Sequence, residues 1–345
     1  MYMKKRILGL TFLISIALYF VLSLKEMPFH RAELANKYKN LEEEKEKRAD
    51  QPDQAQLEEV LLRSEIGKPF SYPDNWRFAA IKQVRSRMGF AKTGAALQWQ
   101  ERGPSNFGGR TRSVAVHPQN DQIWWVAAVS GGIWYTEDQG EHWTCQTDDL
   151  PVLSATTLAL CDSQPNILYV GTGEGFYNYG AVPGDGIFKT SDGGQTWVQL
   201  ESTAGNKSFR YVNRVIVHPA HPDTAFAATR VGLFRTVDGG TSWQKVFDQD
   251  SPVFQVIANP LNFNTLFLTA EARGIYRSTD MGQNWTLVSD EISDFYRIEM
   301  AIARADTNIL YASPVGTDNG LLGFFKSSDA GITWVDLGNS VNWLG

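Results

Sequence analysis

One eight-residue pattern, Ser/Thr-x-Asp-x-Gly-x-x-Trp, constrains the fold of this chain more than any other feature. It occurs five times, as TEDQGEHW, TSDGGQTW, TVDGGTSW, STDMGQNW and SSDAGITW, and its aspartates are 54, 46, 42 and 49 residues apart. Four fixed positions repeated five times mark a repeated structural unit. The fixed Asp, Gly and Trp are Asp138, Gly140 and Trp143; Asp192, Gly194 and Trp197; Asp238, Gly240 and Trp243; Asp280, Gly282 and Trp285; and Asp329, Gly331 and Trp334.

Each repeat can be divided into four short strands, A to D. In the third repeat they are Asn213–His218, Thr224–Thr229, Leu233–Thr236 and Trp243–Phe247. Strand-rich repeats of 40–50 residues are typical of propeller blades. The sequence therefore predicts an all-β fold, a β-propeller over residues 97–345 with five four-stranded blades visible.

The repeated pattern falls at the C–D hairpin, where its residues suit a structural role. An Asp carboxylate can accept backbone N–H groups within a tight turn. The Gly can take a positive φ, and the Trp can bury a large ring against the blade. Since five equivalent turns with one fixed carboxylate each do not make five active sites, we interpret these aspartates as structural rather than catalytic or calcium-binding.

These residues resemble the Asp-box, or BNR-repeat, β-propeller superfamily, with its sortilin-type, sialidase-like and xyloglucanase-like members. The stretches Gly103–Pro118 and Val170–Trp197 are also similar to blades of large secreted Bacteroidetes-type proteins. The resemblance implies the fold, but it leaves activity open because the superfamily contains enzymes and binding scaffolds. The sialidase Phe-Arg-Ile-Pro sequence has only a distant counterpart at 209–212, so sialidase catalysis is not implied.

In a propeller the D–A and B–C loops share one face, and the Asp-box hairpins lie on the other. The longest B–C loop, Gly171–Gly186, combines aromatic rings with carboxylates, a mixture suited to sugar binding or, in principle, hydrolysis. Alternatively, it is a glycine-rich insert covering the channel. Its candidate ligand-binding residues are Glu174, Phe176, Tyr177, Tyr179 and Asp185.

Several arginines are expected to rim the same face, because they begin A strands or lie in B–C loops. Grouped near the axis, they could hold a carboxylate. Nearby acidic residues, namely Glu174, Asp185, Glu271 and Asp294, could instead neutralise them. The candidate arginines are Arg110, Arg112, Arg210, Arg230, Arg273 and Arg297.

The N-terminal part predicts a membrane anchor. Lys4, Lys5 and Arg6 precede an uncharged stretch at 7–24 that is long enough for a signal anchor. A cleaved signal peptide, giving a secreted protein, is the alternative. We expect a cytoplasmic tail at 1–6, a charged stalk at 25–74, a helical segment packing on the propeller at 75–96, and a propeller outside the membrane, in the periplasm or at the cell surface.

Charge and motif content exclude several functions. Residues 97–345 hold 15 Lys/Arg and 26 Asp/Glu, a net charge of −11, which argues against nucleic acid as a ligand. The sequence has no phosphate loop, catalytic triad motif or metal-ligand spacing, so no cofactor or metal is predicted. Cys145 and Cys161 are either two buried thiols or a disulfide.

The ring is expected to be incomplete within this chain. Leu97–Glu101 resembles a D strand that would complete a last blade, yet the fifth repeat has its own D strand at 334–337. The sequence therefore predicts a further blade after Gly345. A complete five-bladed ring is the alternative.

The function that these patterns favour is an extracytoplasmic binding scaffold for a protein or a glycan. A glycoside hydrolase of the xyloglucanase or sialidase kind is one alternative. An assembly or maturation factor that grips a partner protein is another. Facing carboxylates would favour the enzyme, whereas carboxylates paired to arginines would favour the scaffold.

Overall fold

The computed structural model describes residues 79–81, 83–84, 86, 110–148, 150–176, 181–247, 249–290, 292–317 and 320–338. The chain divides after Tyr72 into two compact units, and all described residues belong to the second. Residues 7–24, the cytoplasmic tail and the stalk lie outside the described residues. Within the described ranges, no helix is long and apolar enough to cross a membrane. Residues 79–81, 83–84 and 86, within the predicted helical segment at 75–96, are helical, and Val84 is exposed.

Twenty strands over residues 111–336 form five four-stranded antiparallel sheets, which we number as blades 1 to 5. Each sheet follows the chain in order, so the predicted A-B-C-D arrangement of the blades is confirmed. The strands are β1 Thr111–His117, β2 Asn120–Ala128, β3 Gly132–Thr136 and β4 Thr144–Cys145; β5 Ala155–Leu160, β6 Leu168–Thr172, β7 Ile187–Thr190 and β8 Val198–Gln199; β9 Val212–His218, β10 His221–Thr229, β11 Gly232–Thr236 and β12 Gln244–Phe247; β13 Val253–Asn259, β14 Asn262–Ala270, β15 Gly274–Ser278 and β16 Thr286–Leu287; and β17 Phe295–Ile302, β18 Leu310–Gly316, β19 Phe325–Ser327 and β20 Val335–Asp336.

The first strands of consecutive blades pack side by side, in the order β1, β5, β9, β13 and β17. Polar side chains connect them. The Ser113 hydroxyl accepts from Leu158 N at 3.0 Å, and the Thr157 hydroxyl accepts from Val215 N at 3.0 Å. The Gln255 amide both donates to Met300 O (3.0 Å) and accepts from Met300 N (2.7 Å). These buried bonds fix the offset between neighbouring blades, because an unpaired buried amide is costly.

Four apolar clusters fill the spaces between consecutive blades. Successive side chains of a strand point alternately towards the preceding and the following blade, because side chains along a β-strand have a period of two. Trp197, Trp243, Trp285 and Trp334 of the repeated pattern each join the cluster shared with the preceding blade. Their rings therefore pack between blades.

The turn formed by each Asp box is held by one repeated set of hydrogen bonds. In the third copy the Thr236 hydroxyl donates to Asp238 Oδ1 (2.8 Å) and accepts from Gly240 N (2.9 Å). Ser242 N donates to Asp238 Oδ1 (2.9 Å), and the Ser242 hydroxyl donates to Asp238 Oδ2 (2.6 Å). The hydroxyl–carboxylate bond and the backbone bond to the carboxylate recur in the other four copies.

Neither cysteine forms a disulfide, and two histidines close turns between strands. Cys145 and Cys161 are both free, and Cys161 is buried between blades 2 and 3. His117 and His218 end the first strands of blades 1 and 3. Each accepts a backbone N–H through Nδ1, at 3.2 and 3.0 Å, and so closes the following turn.

Candidate functional site

A glycine-rich segment after β6 places two candidate residues near the first strands of other blades. Gly173 has φ +87°, and a Cβ there would lie 2.2 Å from Arg210 O. A Cβ on Gly175 would lie 2.0 Å from the Asn213 side-chain oxygen. These short distances place the segment directly against blade 3, and only glycine permits them. Glu174 and Phe176 lie on this segment.

Glu174 is buried and bound to an arginine. Arg110 donates from Nη1 to Glu174 Oε1 at 2.9 Å, and the side chain of Arg110 remains half exposed. This charge-assisted bond joins the loop of blade 2 to the start of blade 1. The geometry shows Glu174 paired with an arginine, and a contact of Glu174 with a ligand stays a prediction.

Two guanidinium groups lie over the ring of Phe176. Arg112 Cζ is 4.1 Å and Arg297 Cζ is 5.1 Å from the centroid of its ring. Phe254 stacks on the same ring at 5.9 Å with an interplanar angle of 15°. The ring therefore joins residues of blades 1, 4 and 5 to the loop of blade 2. We call Arg110, Arg112, Glu174, Phe176 and Arg297 the loop-face cluster.

The loop-face cluster contains three arginines and one carboxylate, Glu174, and further charges act on it. Burial of the head group lowers the pKa of Arg112, although the residue as a whole keeps contact with solvent. Glu299 and Glu174 raise this pKa, and Arg297 and Arg214 lower it. Arg297 Nε is buried without a hydrogen-bond partner among the described residues. A guanidinium stacked on a ring still has its N–H edge for an acceptor.

A second arginine site lies beside the cluster. Arg230 lies over the ring of Tyr211 at 3.9 Å, and its Nε donates to Gly175 O at 3.1 Å. The charge of Arg230 also acts on Glu271, whose pKa is nevertheless raised by burial. Arg230 thus holds the glycine-rich segment of blade 2 against blade 3.

Asp185, Arg210 and Arg273, which were also predicted, are not brought into the cluster. Asp185 is buried within blade 2, where Oδ1 accepts from Gly205 N at 3.1 Å. Arg210 is exposed, 6.0 Å from the Tyr211 ring, and Arg273 is exposed in the β14–β15 turn. Tyr177 and Tyr179 lie outside the described residues.

Sequence reasoning missed several residues of this face. Phe254 and Glu299 lie on the first strands of blades 4 and 5, and Tyr211 directly precedes β9. Aligning the repeats on their Asp boxes would have placed Phe254 and Tyr211 near the start of a first strand and Glu299 in the middle of one. It would not have shown which of them meets Phe176, because that contact crosses blades.

One cluster of metal-type donors occurs among the described residues, on the Asp-box face. Single ligand atoms of Asp138, Glu141 and His142 lie within 4.8 Å of one another. His142 contributes through Nδ1, 2.7 Å from Asp138 Oδ2, and it occupies the position that Thr196 and Ser242 fill in other copies. The arrangement is therefore the repeated turn with a histidine substituted.

Comparisons with known proteins agree with this architecture. Residues 185–320 match the Sortilin-Vps10 family model, described as sortilin, neurotensin receptor 3. No curated protein matches the chain. An ancestral GH74 enzyme superposes with a TM-score of 0.55 and 21% identity, over 70% of this chain and 33% of its own.

Two further solved structures are similar. The GH74 enzyme of Niastella koreensis gives a TM-score of 0.53 and 22% identity, over 68% of this chain and 38% of its own. The extracellular domain of a hybrid two-component system from B. thetaiotaomicron gives a TM-score of 0.50 and 11% identity, over 72% and 30%. This chain thus spans well under half the length of each.

The five sheets, the five Asp-box turns and these likenesses define a class of protein. The described residues have the fold of a β-propeller with Asp-box turns, and the chain is similar to the Sortilin-Vps10 family over residues 185–320 and to GH74 enzymes in fold.

Proposed function

We propose that this protein is a binding scaffold that holds a carboxylate-bearing glycan or peptide at the loop-face cluster. The observation that carries the proposal is the contact of both Arg112 and Arg297 with the Phe176 ring. These contacts hold two guanidinium groups near one another before a ligand arrives. Preorganised arginines are suited to planar anions such as carboxylates.

The proposal also includes the location of the propeller outside a membrane. The Lys/Arg cluster at 4–6 and the uncharged stretch at 7–24 support a propeller outside a membrane, anchored or secreted. Protein and glycan ligands, and a partner held during assembly, would all use the same arginine edges. The distinction between them is an outcome of the binding test.

Binding is tested with the full chain in detergent. The probes are neutral and uronic-acid-bearing oligosaccharides, and peptides with a free or an amidated C-terminus. We expect binding of carboxylate-bearing probes that weakens with salt, and at least about a tenfold loss of affinity for Arg297→Gln, since a charge-assisted bond contributes about 1.5–3 kcal/mol.

The matched control is Arg304→Gln, an exposed arginine in the β17–β18 loop of the same blade. That loop is an A–B connection, on the opposite face, so its variant should bind as the unaltered chain does. Equal losses in the two variants, or equal affinity for neutral probes, would contradict the proposal.

A glycoside hydrolase is the second candidate, favoured by one observation. Burial raises the pKa of Glu271, which is the condition a general acid needs. Release of reducing ends from a polysaccharide by the full chain, lost in Glu271→Gln, would establish this alternative. We expect no release.

A further inference from the structure

Two aromatic rings on the loop face each have a pair of guanidinium groups beside them. In the loop-face cluster the ring is that of Phe176, with guanidinium carbons 4.1 and 5.1 Å from its centroid. The second ring is that of Tyr211, with Arg230 Cζ at 3.9 Å and Arg210 Cζ at 6.0 Å. We call Tyr211, Arg210 and Arg230 the Tyr211 site. The function proposed above uses the first pair of arginines and leaves the second unexplained.

Backbone hydrogen bonds fix the residues of the Tyr211 site. Arg230 N donates to Tyr211 O at 3.3 Å, and Gly184 N donates to Arg210 O at 2.9 Å. A 3-10 helix at Lys207–Phe209 ends immediately before Arg210. The site is therefore built from two loops of blade 3 and the glycine-rich loop of blade 2, and its backbone is already ordered before a ligand binds.

One peptide group links the Tyr211 site to the loop-face cluster. Arg230 Nε donates to Gly175 O at 3.1 Å, and this carbonyl belongs to the peptide group that joins Gly175 to Phe176. Ordinary covalent lengths then place the guanidinium group of Arg230 within about 16 Å of those beside the Phe176 ring. Side chains about four residues apart on an extended peptide point the same way and are about 13 Å apart, so they can reach both sites.

The two rings support cations, which favours a peptide ligand over a sugar. The ring of Phe176 contacts Phe254 at 5.9 Å as well as the two guanidinium groups of the cluster. The ring of Tyr211 has Arg230 over it at 3.9 Å. A pyranose that stacks on an aromatic residue needs an open ring face. The chemistry offered at both rings is instead that of guanidinium groups, which suits carboxylate side chains.

Arg210 is the member of the Tyr211 site that a ligand reaches first. Arg210 is exposed, whereas Arg230 is partly buried. Within the described part of the chain, the side chain of Arg210 makes no ion pair. The charge of Arg230 acts in addition on the carboxyl of Glu271. We therefore assign the direct contact with a ligand carboxylate to Arg210, with Arg230 adding its charge.

We propose that the Tyr211 site is a second anion site and that the ligand is an acidic segment of a polypeptide. One carboxylate of this segment lies at Arg112 and Arg297, and another, about four residues away, lies at Arg210. The inference rests on the proposed function, because the loop-face cluster must hold the first carboxylate. The second contact is intramolecular once the first has formed, so it raises affinity strongly.

The test measures binding of three peptides to the full chain in detergent by fluorescence anisotropy. The peptides have one length and capped termini, and two positions at the spacing given above carry Asp and Asp, Asp and Asn, or Asn and Asn. We expect the peptide with two Asp residues to bind at least about tenfold more tightly than the peptide with one, since a charge-assisted bond is added. The peptide with one Asp should in turn bind more tightly than the peptide with none.

Arg210→Gln tests which residue holds the second carboxylate. This variant should bind the peptide with two Asp residues only as tightly as the peptide with one, and its affinity for the latter should be unchanged. Because Arg210 is exposed, the substitution leaves the core intact. The matched control is Lys207→Gln, which removes the same charge from an exposed residue of the same loop. It should preserve the difference between the two peptides.

The results separate this inference from the proposed function. Equal affinity for the peptides with one Asp and with none would contradict the proposed function and the inference together. If one Asp increases affinity but a second adds nothing, or if the gain from the second survives in Arg210→Gln, the second site alone is overturned. Tighter, Arg210-dependent binding of an oligosaccharide with two uronic acids would overturn the assignment to a peptide.

Discussion

At the scale of single residues, the Asp-box carboxylates show what the sequence could and could not predict. Their role in the turn follows from the residue types, and the observed bonds agree with it. The residue between Asp and Gly was not anticipated: it also takes a positive φ, as at Gln139 (60°), Met281 (57°) and Ala330 (60°). The hydrogen bonds around the carboxylate compensate for this strain, and no propensity of Gln, Met or Ala indicates it.

These carboxylates predict a loss of stability in acid. The pKa of Asp238 falls to about 2 because Ser242 and Thr236 bond to it, and Asp280 and Asp329 also reach about 2. At Asp192 burial opposes the same shift and is outweighed, again leaving a pKa of about 2. A pKa lowered from 3.8 in the folded chain gives stability that is complete above about pH 5 and is lost as pH falls towards 2.

The measurement is the urea midpoint of unfolding of the full chain between pH 6 and pH 2.5. We expect the urea midpoint to stay constant down to about pH 5 and then to decrease steeply as the Asp-box carboxylates become protonated. Asp238→Asn, which cannot ionise, should flatten this decrease, whereas Asp306→Asn in the β17–β18 loop should not. A midpoint that is insensitive to pH over this range would exclude the account.

At the scale of elements, the glycine-rich segment was predicted as a candidate, and Glu174 and Phe176 within it lie where a site could form. Their partners could not be predicted. Arg297 is more than one hundred residues from Phe176, and only the packing of the blades brings them together. Asp185 was predicted as a ligand-binding residue because of its charge, but it is buried and accepts a hydrogen bond from Gly205 N of the same blade. The charge of a residue does not indicate which way its side chain points.

Gly175→Ala tests the close approach of this segment. Its Cβ would meet Asn213 Oδ1 at 2.0 Å, so the segment must move and Phe176 with it. We expect the free energy of unfolding to fall by about 1–3 kcal/mol, with weaker binding of carboxylate-bearing probes. Gly323→Ala, whose nearest contact is 3.2 Å, is the control in thermal melting. Equal melting temperatures would count against the close packing.

Gln255→Leu tests the links between first strands. It removes two bonds to the backbone of Met300 and leaves buried groups without partners. The expected cost is about 2–4 kcal/mol in chemical unfolding, since each orphaned group costs about 1–3 kcal/mol. Gln119→Leu, at an exposed turn, should change stability by less than about 0.5 kcal/mol. If Gln255→Leu left the free energy of unfolding unchanged, apolar packing alone would be shown to join the blades.

At the scale of the whole molecule, the period of the Asp boxes was enough to predict the five blades that the structure describes and their strand order. It could not predict which faces stay uncovered, because that depends on contacts between blades rather than on the repeat. The expectation of a further blade stays a prediction, and Leu97–Glu101 lies outside the described residues.

The central claim is that the loop face, not the Asp-box face, binds the ligand. Hydrogen exchange of the full chain, with and without the tightest-binding probe from the oligosaccharide and peptide panel, tests it most directly. The account predicts slower exchange at residues 110–112, 171–176 and 295–299, with the Asp-box turns unchanged. Protection confined to turns such as 136–143 and 190–197 would contradict it.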